Sequence, residues 1–209
     1  MQSLIEAVKT GEAKQTRLLI EQLLADGVDP HDILNKGLLK AMLDLGTEFR
    51  NNEIFIAEVL AAGQAWNQGC AVLREVLVDG SAEPIGRVVI ATVEGDMHDI
   101  GKNLVAVFMN AAGFETIDLG VDVSAQEIVE AVRKYRPDIL ALSSLLTVTI
   151  KQQEIVMRAL KDAGLRDGLT VFVGGAPVTR EYCRDIGADV YEIDAAAAAK
   201  TAQRMFGRK

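Results

Sequence analysis

From residue 86 onward the chain repeats one unit: a short apolar run rich in β-branched residues, a loop, then apolar residues at helical spacing. The first run, Val88-Val89-Ile90-Ala91-Thr92-Val93, is short and has no polar face, the pattern of a strand covered on both sides. Leu104, Val105, Val107, Phe108 and Ala111 then recur at helical spacing up to Gly113, a natural helix stop. A second strand pattern covers 115–120, and Ser124 with Glu127 forms a capping-box signature ahead of Ile128, Val129 and Val132. The turn Arg136-Pro137-Asp138 leads into Ile139-Leu140-Ala141-Leu142-Ser143, followed by a helix with Ile155, Val156, Met157 and Leu160. The run 170–173, a helix near 180–186, a strand over 190–193 and a terminal helix to about Met205 complete the series. Strands joined through helices are parallel and their crossovers right-handed, so the spacing predicts an α/β fold, a flavodoxin-like doubly wound parallel sheet spanning 86–209.

Residues 1–80 carry a different pattern, helical throughout, and predict a helical bundle ahead of the sheet. Leu4, Ile5 and Val8 mark a first helix ended by Gly11; Leu18, Leu19, Gln22 and Leu23 form the expected stripe of a second, closed by Gly27. Asp29-Pro30 opens a third, whose apolar face is expected from Ile33, Leu34, Leu38, Leu39, Met42, Leu43 and Leu45. The fourth, about 54–78, carries apolar groups on more than one side, among them Phe55, Val59, Leu60, Trp66 and Cys70. It reads either as the central helix of its bundle or as one with a second face to be covered. Asp79-Gly80-Ser81-Ala82-Glu83-Pro84 lacks apolar periodicity and reads as a linker between two domains.

Charge narrows the function. The 22 Lys and Arg against 30 Asp and Glu give a net charge of −8, a field that repels nucleic acid and acidic membrane surfaces, so neither is expected as a partner. The opening residues do not read as a signal peptide and no run approaches transmembrane length, so a cytoplasmic location is expected. Cys70 and Cys183 stand far apart and read as core residues without a disulfide or zinc pattern. His31, next to Asp32 at the start of the third helix, reads as a surface histidine near a helix cap.

The richest chemistry lies in Glu94-Gly95-Asp96-Met97-His98-Asp99-Ile100-Gly101-Lys102-Asn103, at the carboxyl end of the first strand, where open parallel sheets bind ligands. Two further strand ends have unusual composition: 143–149 and Gly174-Gly175. Glycines and helix N-termini on such an edge could serve a phosphate or flavin. The carboxylates of Asp96 and Asp99 would repel an anion and suit a cation or metal better. One histidine cannot hold zinc, which takes three or four protein ligands. A metal whose other positions are filled by its own macrocycle fits.

Asp96-x-His98-x-x-Gly101, then Ser143-x-Leu145, then Gly174-Gly175, with 41 and 28 residues between them, resembles the cobalamin-binding signature of the methionine-synthase-type B12 domain. The helical segment before the linker is similar to that family's cap domain. In length and organisation the chain resembles the free-standing corrinoid proteins that carry methyl groups for methylamine, betaine, methanol or methoxyaromatic systems.

The resemblance implies cobalamin or a related corrinoid as cofactor and His98 as the lower axial cobalt ligand. It implies Asp96 as the partner of the other ring nitrogen, with Thr149 as the hydroxyl completing the relay. Gly101 would admit the corrin, Ser143 and Leu145 would line the slot for the nucleotide tail, and Gly174 and Gly175 would leave that slot open. Asp99 is expected beside the cofactor, serving mainly the helix start. Phe55, Val59, Leu60 and Trp66 would cover the upper, methyl-bearing face, with a hinge at 80–84. Implied partners are a substrate-specific methyltransferase, a second methyltransferase acting on a folate or thiol acceptor, and a reductive activase. The carrier would have no complete catalytic site of its own. Alternatives are a B12-dependent mutase subunit, disfavoured by the helical segment, and a B12-sensing regulator, disfavoured by the acidic charge.

Overall fold

A computed structural model describes residues 1–77 and 84–207. The proposed linker and hinge fall outside these residues except for Pro84, as does the side chain of His31. The chain divides into two compact units, Met1–Glu83 and Pro84–Lys209.

The first unit is helical: α1 (Gln2–Lys9), α2 (Ala13–Ala25), α3 (Pro30–Asp32), a π-helical stretch (Ile33–Leu39), α4 (Lys40–Arg50) and α5 (Ile56–Leu77). The turn between α1 and α2 needs Gly11, at φ +75°, because an added Cβ would lie 2.5 Å from Ala61 Cβ of α5. α5 meets α2 in the same way: a Cβ at Gly69 would fall 2.9 Å from Ile20 and Leu38 methyl groups, so the missing side chain sets how near the helices approach. α5 also packs against α1 and α4, making it the central helix of this bundle.

The expected stripe of α2 is out of phase. Thr16 and Ile20 are buried, Leu19 and Leu23 are half-buried, and Leu18 and Gln22 face solvent. Gln22 was the weak member of that stripe, and moving the face to Thr16 and Ile20 lets α2 meet Gly69. In the third helical run Ile33, Leu38, Met42 and Leu45 are buried as expected, whereas Leu43 lies off that face and is exposed.

The second unit alternates β1 (Arg87–Thr92), α6 (Ile100–Ala111), β2 (Glu115–Asp118), α7 (Ala125–Tyr135), β3 (Ile139–Ser143), α8 (Ile150–Asp162), β4 (Thr170–Gly174), α9 (Arg180–Asp185), β5 (Val190–Tyr191) and α10 (Ala195–Phe206). The five strands pair in parallel in the order β2-β1-β3-β4-β5, the flavodoxin-like order with its switch point between β1 and β3.

Val89, Ala91, Leu140, Leu142, Val171 and Val173 point into one core with Ile128, Val156 and Leu160, while α6 and α10 pack together elsewhere in the unit. Phe114 and Phe206 meet edge to face, with ring centroids 6.2 Å apart. The capping box of α7 is formed by Ser124 and Glu127 in both directions. β5 is shorter than the sequence pattern, and Ile193 beyond it is exposed. Ile155 likewise lies on the outer side of α8. Cys183 is buried, whereas Cys70 is only half-buried.

Candidate functional site

The loops that follow β1, β3 and β4 leave the carboxyl edge of the sheet side by side. Register places Thr92 opposite Ser143 and Ser143 opposite Gly174, so the three strands end together. The loop after β1 turns tightly: Gly95 takes φ +76°, its amide donates to Asp122 Oδ1 at 2.6 Å, and the Asp122 amide donates to the Asp96 carbonyl at 3.0 Å. Thr92 Oγ1, at the buried end of β1, donates to the His98 carbonyl at 2.9 Å. The backbone on both sides of Asp96 and His98 is thereby fixed.

Asp96 is completely buried. Its Oδ1 accepts from His98 Nδ1 at 2.7 Å and from the His98 amide at 3.1 Å. Its Oδ2 accepts from Thr149 Oγ1 at 2.7 Å and from the amides of Leu145 at 2.7 Å and Leu146 at 3.3 Å. Burial alone works against the charge, yet the hydrogen bonds from Thr149 and His98, with the amides of His98 and Leu145, outweigh it and hold the carboxyl well below the usual carboxylate range. An ionised carboxylate only accepts, so the proton between the two groups sits on His98 Nδ1, which leaves Nε2 as the ring nitrogen that can present a lone pair. The His98 side chain is 51% exposed. One nitrogen is thus locked inward while the ring remains accessible, the state required of an imidazole metal ligand.

Among the described residues no group of three or more His, Cys, Asp or Glu could hold a metal ion. A metal bound through His98 must therefore bring its other donors with it. The surroundings suit a large apolar group: Met97, Leu145, Leu146 and Val148 on the two loops at this edge, and Ile100 at the start of α6, are exposed, and exposed apolar residues grouped in this way mark a binding surface. An added Cβ at Gly101 or Gly174 would meet nothing within 4 Å, so both positions leave open space.

The remaining expected residues fall in varied settings. Ser143 is half-buried at the end of β3. Asp99 occupies the N-cap position of α6 but makes no side-chain cap bond; its Oδ2 accepts instead from Asn103 Nδ2 at 3.1 Å. In the helical unit Phe55 is exposed, Leu60 is half-buried, and Val59 and Trp66 are buried. Val59 and Trp66 are thus correctly read as apolar but stand in packed positions, where they serve the helix packing; Phe55 has the open face.

Several residues of the site carry no sequence signature. Ser144, fully buried, lies with its hydroxyl 2.9 Å from that of Thr149; a second serine beside Ser143 at the end of a buried strand was the available signal. Thr92 reads as an ordinary strand residue and Asp122 as a turn residue. Lys102, directly after Gly101, is 3% exposed and donates to Asp118 Oδ2 at 2.5 Å and Asn103 Oδ1 at 2.7 Å. The ion pair ties the first turn of α6 to the end of β2.

The profile of one protein family described as a B12 binding domain matches residues 86–202, and a second of the same description matches residues 1–74. Trimethylamine corrinoid protein 1 of Methanosarcina acetivorans is 42% identical over 173 residues, covering 82% of this chain and 80% of its own length. Dimethylamine corrinoid protein of Methanosarcina barkeri is 35% identical over 207 residues, covering 99% of this chain and 97% of its own. Among solved structures, a chain of the methanol:cobalamin methyltransferase complex MtaBC of Methanosarcina barkeri superposes with a TM-score of 0.86 at 28% identity, over 99% of this chain and 79% of that one. A cobalamin-binding protein from Desulfitobacterium hafniense DCB-2 gives 0.78 at 32% identity, over 98% and 97%. The chain belongs to the B12-binding protein family, and its likeness to corrinoid proteins extends over both the helical segment and the α/β unit.

Proposed function

We propose that this protein binds cobalamin or a related corrinoid through His98 and carries a methyl group between methyltransferases. The observation that carries the reading is the buried Asp96 carboxylate holding His98 Nδ1 at 2.7 Å, which would leave Nε2 for a metal that brings its remaining donors with it. When bound, the corrinoid supplies a cobalt centre able to accept and release a methyl group. The protein's residues do the rest. His98 offers Nε2; Asp96 and Thr149 keep the ring in one tautomer and orientation; Gly101 leaves room for the macrocycle. Ser143, Leu145 and Gly174 line the space expected to receive the nucleotide tail. Asp99 holds the start of α6 through Asn103 at the rim. Phe55, Val59 and Leu60 of the helical unit are the residues we assign to the cofactor's methyl-bearing side, which a partner must be able to reach.

The first partner is a methyltransferase specific for the methyl donor, a role supported by the methylamine corrinoid relatives and by the methyltransferase complex among the structural neighbours. A second methyltransferase with a folate or thiol acceptor removes the methyl group, and a reductive activase restores the carrier. Reconstitution with cobalamin, followed by the absorption spectrum and cobalt content, tests the reading. The wild type takes up about one cobalt per chain with an imidazole-ligated spectrum. His98→Ala loses that spectrum. Failure of the wild type to retain cobalt would end the corrinoid assignment.

A further inference from the structure

The two glycines at the end of β4 stand in unequal places. An added Cβ at Gly174 would meet nothing within 4 Å, whereas at Gly175 it would lie 1.7 Å from the carbonyl oxygen and 2.6 Å from the carbonyl carbon of Ser144. Gly175 also takes φ +124°. A side chain at Gly175 is excluded by the protein's own backbone before any ligand is considered.

The contact leads inward. The Ser144 amide donates to the Gly174 carbonyl at 3.1 Å, and the same carbonyl accepts from Gln153 Nε2 at 3.1 Å, which also donates to the Leu142 carbonyl at 3.2 Å. The ends of β3 and β4 are therefore clamped together around Ser144. Its hydroxyl lies 2.9 Å from Thr149 Oγ1, and Thr149 Oγ1 lies 2.7 Å from Asp96 Oδ2. The Thr149 proton has two acceptors in reach, Asp96 and the Leu146 carbonyl at 3.1 Å. A proton donated by Ser144 to the Thr149 oxygen polarises that hydroxyl and strengthens its bond to the charged carboxylate.

Building on the corrinoid reading, we infer that Gly175 and Ser144 are positioning residues for His98. The close backbone contact at Gly175 seats Ser144, Ser144 orients Thr149, and Thr149 holds the carboxylate that fixes the imidazole. The loop expected to receive the nucleotide tail is in this way mechanically coupled to the axial ligand, and a displacement at Gly175 is transmitted to His98.

The test combines a ligand-free readout with a corrinoid that has no tail. Amide hydrogen exchange at Leu145, whose N–H donates to Asp96 Oδ2, is measured in the apoprotein. Ligation of cobinamide, which lacks the nucleotide, is then followed by the spectral change that accompanies imidazole coordination. Gly175→Ala is expected to speed Leu145 exchange by about tenfold or more and to weaken imidazole ligation of cobinamide by about 10- to 100-fold, the range for groups that orient a metal-bound histidine. Ser144→Ala, which adds no volume, shifts both in the same direction by about threefold to tenfold, and decides the matter if Gly175→Ala does not fold by circular dichroism. Lys161→Ala, an exposed position in the last turn of α8, leaves both readouts at wild-type values. Normal cobinamide ligation by Gly175→Ala with loss of cobalamin binding alone would reduce Gly175 to a spacer for the tail and overturn the coupling, as would wild-type behaviour of Ser144→Ala in both readouts. If wild type binds neither corrinoid while Leu145 exchange responds as stated, the corrinoid reading fails and the coupling to Asp96 stands.

Discussion

Replacing Asp96 with asparagine changes one oxygen to an NH₂ and removes the charge, and the structure dictates where the NH₂ must go. The Oδ2 position faces three donors, the Thr149 hydroxyl and the amides of Leu145 and Leu146, so an NH₂ there would leave two backbone N–H groups without acceptors. The amide oxygen therefore takes that side and the NH₂ turns to the Oδ1 side, against His98 Nδ1 and the His98 amide. The His98 amide then loses its acceptor, a cost of about 1–3 kcal/mol, partly offset because a buried charge has also been removed. The larger effect is on the ring. Nδ1 now accepts from the NH₂, the proton moves to Nε2, and the lone pair that would bind cobalt is gone.

Metal-site affinity is expected to fall by about 10- to 100-fold, roughly 1.4–2.7 kcal/mol, while stability falls by only about 1 kcal/mol. Ring ¹⁵N NMR of the apoprotein reads the tautomer, chemical denaturation reads stability, and absorption titration with cobalamin reads ligation. An asparagine variant that keeps the Nδ1–H tautomer and binds with imidazole ligation within about threefold of wild type would refute the reasoning.

Three further predictions concern the frame of the site. Asp118→Ala strands the Lys102 ammonium, which is 3% exposed, and is expected to destabilise the α/β unit by about 3 kcal/mol, more than Lys102→Met, which leaves only the 41% exposed Asp118 carboxylate in water; denaturation midpoints of the two variants check the order. Ser124→Ala removes the cap of α7 and should cost about 1 kcal/mol by the same measurement. Glu127 is held below its usual carboxylate range by the Ser124 hydroxyl and amide. Its folded pKa is thus below the unfolded value, so its contribution is present above about pH 4.3 and is lost as pH falls further; the stability difference between wild type and Ser124→Ala should narrow in that acid range, and a constant difference would exclude the coupling.

The repeating apolar runs were enough to read the parallel sheet, because a strand covered on both faces leaves a continuous Val and Ile signal that no loop imitates. The capping box of α7 was legible for a similar reason, since its two partners are three residues apart. Local patterns failed where neighbours from distant segments choose the face. The buried stripe of α2 passes through Thr16 and Ile20 instead of Leu18 because Gly69 of α5 admits Ile20. The turn forced by Gly11 depends on Ala61, fifty residues away.

The site divides along the same line. Asp96-x-His98-x-x-Gly101 shows in sequence that a carboxylate and an imidazole share a strand-end loop, and with the other two elements it marked the family. Sequence by itself determined the fold class and the edge where chemistry sits, since these follow from periodicity and from residue type at short spacing; His98 as the residue to touch the metal is what the family resemblance implies. Only the tertiary structure decided that Asp96 is fully enclosed, that five donors from two loops keep it charged, and that Gly175 answers to the Ser144 backbone. Hydrogen bonds between residues about fifty positions apart leave no local pattern, because the donors are mostly backbone amides that every residue possesses and only the parallel register of β1, β3 and β4 brings them to one place.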